Sequence, residues 1–267
     1  GVNYAIDDTN EVFADYSQNQ HAFVSAATSG PFSTTQIGFD AIKDNLKPET
    51  SRTVEAGYRY NTTVLQGVLT GYYVKFKNRL LTTTVGAGIV GNPSALANVG
   101  SVTTMGVEAA GTWHFANDMW LFGSYAFNQS TYDDNTYDGD GDLTARTKDK
   151  TVVDAPKHIL KGELGYDNGS LFAHLNGSFL SRRYYTYTND ASVPTQTVFD
   201  LSFGYRISSN DYFNGVELQG NVNNLFDTKY ISTIGTNGYA NTDPNGTFQT
   251  LMAGAPRQFF ITLRKQF

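Results

Sequence analysis

Apolar and polar side chains alternate with a period of two in one segment after another along this chain, and that alternation restricts its fold more than any other feature. From Thr197 to Ile207, Phe199, Leu201, Phe203, Tyr205 and Ile207 share one face, opposite Asp200, Ser202 and Arg206. The final run, GAPRQFFITLRKQF, sets Phe259, Ile261, Leu263 and Phe267 against Gln258, Thr262, Arg264 and Gln266. Between Ser51 and Tyr60, Val54, Ala56, Tyr58 and Tyr60 oppose Glu55 and Arg59, and from Val102 to Phe115 the row Met105, Val107, Ala109, Trp113, Phe115 opposes Thr104, Glu108, Thr112 and His114. Further strands are expected over Val2 to Ile6, Glu11 to Gln18, Val64 to Lys77, Met119 to Gln129, Pro156 to Tyr166, Leu171 to Arg182 and Val216 to Phe226. In the last of these Glu217, Asn221 and Asn223 fall on the polar side; the facing of Val64 to Lys77 is ambiguous. One such strand would fit a soluble sandwich. Eleven of them, rich in glycine and aromatic residues, give the pattern of a transmembrane antiparallel up-and-down β-barrel.

The connections strengthen this reading. Short turns at Asp7-Asp8-Thr9-Asn10, Asn61-Thr62-Thr63, Ala116-Asn117-Asp118, Asp167-Asn168-Gly169 and Ser208 to Asn214 alternate with long stretches from end to end. Outer-membrane barrels alternate in this way between periplasmic turns and extracellular loops. The first and last strands then both run from outside to inside. Single-chain bacterial barrels have an even strand number, so about eleven strands are expected to be part of a larger barrel whose other strands lie upstream of Gly1.

Composition excludes several classes. No segment reaches the roughly 20 apolar residues of a membrane helix, whereas 17 Tyr and 18 Phe suit the aromatic girdles of a barrel. The chain has no cysteine, which removes disulfide frames and thiolate metal sites. A net charge of -6 argues against a nucleic-acid partner.

Several strings resemble those of TonB-dependent outer-membrane receptors. They are LKPETSRTVEAGYR (Leu46, Pro48, Glu49, Ser51, Glu55, Gly57), GVEAAGTW (Gly106, Glu108), DAPKHILKGELGY (Pro156, His158), VELQGNVNNLFDTKY (Val222, Asn224, Leu225, Phe226, Asp227, Tyr230) and GAPRQFF through to Phe267 (Gly254, Pro256, Arg257). Their order is that of the C-terminal half of the receptor barrel, which has about 22 strands around a plugged lumen. The resemblance implies that residues 1–267 are the C-terminal portion of such a barrel, with the N-terminal plug and the first barrel half outside this chain. It also implies active uptake of a scarce solute, an iron-siderophore or similar chelate foremost. The implied partners are outer-membrane lipid and lipopolysaccharide, the plug and remaining strands, a TonB-type coupling protein acting through the N-terminal part, and the small-molecule ligand. The bacterial outer membrane is the implied location.

Candidate site residues follow from the faces. Glu55, Arg59, Glu108, Asp200, Arg206, Glu217, Asn221 and Asn223 are expected to line the lumen and meet the plug. Facing lipid at mid-membrane, an Arg or Lys would cost roughly 2 to 4 kcal/mol. Arg182, Arg183, Tyr184, Tyr185 and Tyr187 suit an anionic or aromatic ligand through charge-assisted bonds and stacking, and equally an interfacial girdle. Asp138, Asp140 and Asp142 offer hard oxygens of the kind calcium takes, without the closing Glu of an EF-hand; a solvated acidic loop has the same composition. No cofactor is implied. A passive porin or adhesin barrel and a barrel hydrolase are the competing readings. For the hydrolase, His174 and Ser178 share a strand face, but same-face neighbours lie about 7 Å apart, and no carboxylate is evident to orient the ring.

Overall fold

The computed structural model describes residues 1–21, 47–84, 94–98, 100–137, 143–208, 212–235 and 250–265. Eleven strands form one antiparallel sheet in sequence order: β1 (Val2–Ala5), β2 (Asn10–His21), β3 (Glu49–Asn61), β4 (Leu65–Lys77), β5 (Val102–Ala116), β6 (Met119–Tyr132), β7 (His158–Asp167), β8 (Leu171–Leu180), β9 (Gln196–Ile207), β10 (Val216–Asn223) and β11 (Gln258–Lys265). The sheet is an open part of a barrel, with β1 and β11 at its two edges. Four of its long connections carry small two-stranded ribbons that the alternation does not mark: Leu80–Thr84 with Ser94–Asn98, Thr136–Tyr137 with Leu143–Ala145, Arg183–Tyr184 with Ser192–Val193, and Ile231–Gly235 with Thr250–Ala253.

Register turns the alternation into bands. Leu65, Trp113, Leu121, Leu164, Leu175, Leu201, Val222 and Phe259 are successive direct partners on eight neighbouring strands. Nearer the long loops, Val12, Tyr58, Leu69, Ala109, Tyr125, Leu160 and Phe179 make a parallel row. Between the two rows runs a row of glycines, Gly67, Gly111, Gly123, Gly162 and Gly177, again direct partners. Most of the large apolar side chains in these rows are exposed. A continuous apolar belt on the outside of a sheet is what lipid hydrocarbon accepts and water does not. The same register settles β4: Tyr58 opposite Leu69 and Val54 opposite Tyr73 put Leu65, Leu69 and Tyr73 outward. Val68, Val74 and Phe76 face inward, so both faces of β4 are partly apolar and its sequence is ambiguous.

Three of the short turns are closed by their own side chains, at Asp7, Thr62 and Asn168. Asp7 accepts the backbone N–H groups of Thr9 at 2.8 Å and Asn10 at 2.9 Å, and the Thr9 N–H above all, with the Asn10 side-chain amide and the Thr9 hydroxyl, holds its carboxyl pKa down at about 2. Asn168 does the same for Ser170 and Leu171 beside Gly169 at φ +90°. The wall has little buried apolar core; that lies at the loop bases, where Val102, Tyr132, Ala145, Val152 and Tyr187 pack together. Two strands stop two or more residues earlier than their sequences suggest. β8 ends at Leu180 and not Arg182, because Arg183 enters the ribbon with Val193. β10 ends at Asn223 and not Phe226, because Asn224 turns the backbone to φ +51°.

Candidate functional site: the inward wall and the loop bases

Glu55, Arg59, Glu108, Asp200, Arg206, Glu217, Asn221 and Asn223 all lie on the face opposite the apolar belt, as the alternation requires. Their environments differ. Arg59 is ion-paired to Glu11 and stacks over the Phe13 ring at 4.2 Å. Arg206 binds both carboxylate oxygens of Asp167 at 2.9 Å, donates its Nε to Glu217 at 3.0 Å and covers Phe172 at 4.3 Å. Asp200 accepts the backbone N–H of Asn224 at 2.7 Å, and Asn221 accepts from Gln219 at 2.9 Å. Glu55 and Glu108 have no hydrogen-bond partner among the described residues; Glu108 faces Tyr72 electrostatically.

The inward aromatic rings need glycines beside them. Phe13, Tyr72, Trp120 and Phe172 each lie across a glycine directly opposite on the next strand, respectively Gly57, Gly106, Gly165 and Gly204, and a Cβ at any of the four would overlap the ring or its hydroxyl. This pairing lets a large ring lie flat on the sheet and carry an arginine on its outer face, as in Phe13 with Arg59 and Phe172 with Arg206.

The sequence reading missed several inward groups. Glu163 accepts the indole N–H of Trp120 at 2.9 Å and lies 3.5 Å from His174 Nδ1, and the Trp120 and His174 rings meet edge to face at 5.4 Å. A carboxylate therefore does sit beside His174. Ser178, on the same strand, is paired across the sheet with Lys161 and Val198. Lys161 also borders a hollow of about 260 Å³ with Glu108, Thr70 and Ser124, and another of about 280 Å³ with Glu163, Asn176, Ser178 and Asp200. Lys161 and Glu163 alternate with the outward Leu160 and Leu164, so the period that marks the other residues of the inward face also marks these two.

At the long-loop end, Arg182 is exposed and Tyr184 and Tyr185 are half-buried. Arg183 is only 4% exposed and Tyr187 only 3%. Arg183 donates to Asp154 at 2.9 Å, Gln196 at 3.2 Å and the Ile231 carbonyl at 2.5 Å, so it ties three loop segments together. Tyr187 packs on Tyr132 at 5.8 Å. Asn189, at φ +61°, exchanges two hydrogen bonds with the Thr151 backbone, at 2.7 and 2.9 Å. The Thr186 hydroxyl, above all, holds the Asp190 carboxyl below the usual carboxylate range. Asp138, Asp140 and Asp142 lie outside the described residues, and among the described residues no group of three or more His, Asp or Glu is arranged to hold a metal. Phe267 and Gln266 also lie outside them.

The segment after β10 is fastened by polar side chains. Asn224, 3% exposed, donates to the Thr228 and Ala255 carbonyls at 2.9 and 3.0 Å and accepts the Thr228 N–H at 2.8 Å. Asp227 accepts the Arg257 N–H at 3.0 Å, and this bond, with Lys229 beside it, lowers its carboxyl pKa. Gly254 leaves room for the Tyr230 ring. The NNLFD-T-K-Y and G-A-P-R strings are thus two sides of one joint.

Comparison with known proteins agrees with this architecture. Residues 1–225 match the family described as TonB dependent receptor-like, beta-barrel. The ferrioxamine B receptor of Salmonella typhimurium is 28% identical over 152 residues, which are 53% of this chain and 20% of the receptor. The ferric yersiniabactin uptake receptor of Yersinia pestis is similar in structure, with a TM-score of 0.68 and 20% identity over 99% of this chain and 36% of that one. The siderophore receptor PiuA of Acinetobacter baumannii gives a TM-score of 0.70 and 16% identity over 98% of this chain and 34% of its own. The chain thus spans about a third of the length of these solved structures.

Proposed function

Since the chain belongs to the TonB-dependent receptor-like β-barrel family, whose members are outer-membrane receptors and transporters, we propose that it forms wall and outer loops of a receptor that takes up a ferric siderophore or similar chelate, with energy coupled through a TonB-type protein. The observation that carries this reading is the match to a ferrioxamine B receptor across more than half of the chain. The inward wall supports it. Its ion pairs and hydrogen-bonding groups, from Glu55 and Glu108 to Lys161 and Asn221, offer a polar surface against which an N-terminal plug from the same protein would rest. Arg182, Tyr184 and Tyr185 are the accessible candidates for ligand contact. Arg183 and Tyr187 would hold that ribbon in place and not touch the ligand themselves.

The test is accumulation of radioiron-labelled siderophores, ferrioxamine first, by cells expressing the whole receptor, with and without a protonophore. Uptake abolished by the protonophore is the expected result. Uptake that ignores the proton gradient would mean a passive pore, and failure of every ferric chelate would overturn the substrate class.

A further inference from the structure

One inward row, made of direct cross-strand partners, runs His114, Trp120, Gly165, His174, Ser202 across β5 to β9. Gly165 has no side chain, so the Trp120 ring lies across it and meets His174 edge to face at 5.4 Å. Glu163, two residues before Gly165 and on the same face, brings one carboxylate oxygen to both rings. Its Oε1 accepts the Trp120 indole N–H at 2.9 Å and stands 3.5 Å from His174 Nδ1. The first contact is a hydrogen bond. The second is about half an ångström too long for one, and a neutral ring with its proton on Nε2 sets a lone pair against the carboxylate. A proton on Nδ1 reverses the sign, because an imidazolium beside a carboxylate closes to a charge-assisted bond of about 2.7 to 2.9 Å. The two side chains are 26% and 29% exposed, so a proton reaches them while much of the screening water is excluded.

The neighbouring carboxylates are committed elsewhere. Asp167, within electrostatic reach of His174, is held through both oxygens by Arg206 of β9 at 2.9 Å, and Arg206 gives its Nε to Glu217 of β10. Asp200, two residues before Ser202, takes the Asn224 N–H. Ser202 itself is uncharged, Phe172 lies 6.1 Å from the imidazole on its own strand, and His114 is on β5, 6.4 Å from the indole. We propose that His174 and Glu163 form a pH-operated clamp on the inward wall: in neutral medium Glu163 serves the Trp120 indole alone, and in acid the His174 imidazolium draws the same oxygen into an ion pair across β7 and β8 and loosens the indole. The hollow of about 280 Å³ beside Glu163, which Lys161 and Asp200 also line, changes with it. Its charge is negative while His174 is neutral and cancelled once the ring is charged, so the wall presents a different surface in acid. The clamp belongs to the wall and does not depend on which solute the barrel carries.

The experiment follows the indole N–H signals of the whole receptor, carrying nitrogen-15-labelled tryptophan in detergent micelles, by two-dimensional NMR from about pH 8 to pH 5, the range in which an imidazole takes up its proton. W120F identifies the Trp120 signal. In wild-type protein the Trp120 indole proton is expected to move upfield along one sigmoid as the pH falls, because its acceptor oxygen is then shared with the imidazolium. H174Q should abolish the movement and E163Q should cut its amplitude several-fold, the first lacking the proton and the second the charge. H114Q should keep most of it. Heat-modifiability on gels reports that each barrel is folded, and H174N gives the reading if H174Q is not. A movement undiminished in H174Q or in E163Q, its loss in H114Q, or a wild-type indole that stays put from end to end would overturn the clamp.

Discussion

Asn224 stands in for a strand partner at the point where β10 ends. Its amide satisfies two carbonyls and one N–H that belong to backbone on both sides of the long β10–β11 connection. Asn224→Ala leaves those groups unpaired and keeps a positive φ that alanine tolerates poorly, so a loss of about 2 to 4 kcal/mol is expected in urea unfolding from lipid vesicles. Asn224→Gly relieves the backbone alone and should cost about 1 kcal/mol less. Glycines divide in the same physical way. Gly165→Ala would drive a methyl into Trp120, at a cost of about 1 to 3 kcal/mol, with a change in tryptophan fluorescence as the indole leaves Glu163. Gly123→Ala meets nothing within 4 Å and is expected to be neutral or slightly stabilising in the same assay.

At the level of elements, period two made β3, β5, β9, β10 and β11 readable face by face, because each has one mainly apolar side. β4 resisted because Val68, Val74 and Phe76 place apolar groups on its inward face as well. The ends of β8 and β10 resisted for another reason. Arg183 and Asn224 leave the wall to make bonds with segments far away in sequence, and period two carries no trace of such partners. The candidate site was legible in the same uneven way. Position on the face opposite the apolar belt followed from alternation, but whether a tyrosine or arginine of the 182–187 stretch reaches solvent depends on Asp154, Gln196, Ile231 and Tyr132, and no local pattern connects them. Arg183→Met tests the junction. Its partner Asp154 is 37% exposed and stays solvated when the guanidinium is removed, so the loss of the three hydrogen bonds is expected to appear as local opening: faster amide exchange over residues 151–154, 183–193 and 231–235, with the wall strands unchanged.

As a whole molecule, the protein is a sheet with two solvents, one for each face. The belt from Leu65 to Phe259 belongs to hydrocarbon, and the face behind it carries ion pairs, amides and hydroxyls. Leu121→Arg, in the middle of that belt, is expected to cost about 2 to 4 kcal/mol in folding into vesicles. Thr70→Arg, next to Glu108 on the inner face, should cost well under 1 kcal/mol by the same measurement. The Arg183 junction bears on the outer end of this sheet in another way. One guanidinium fixes loop segments around Asp154, Ile231 and its own ribbon relative to each other, so much of the entropy of ordering them is lost when the protein folds. A ligand landing on those loops then meets a preorganised surface, and its affinity is not eroded by the cost of bringing three wandering segments together.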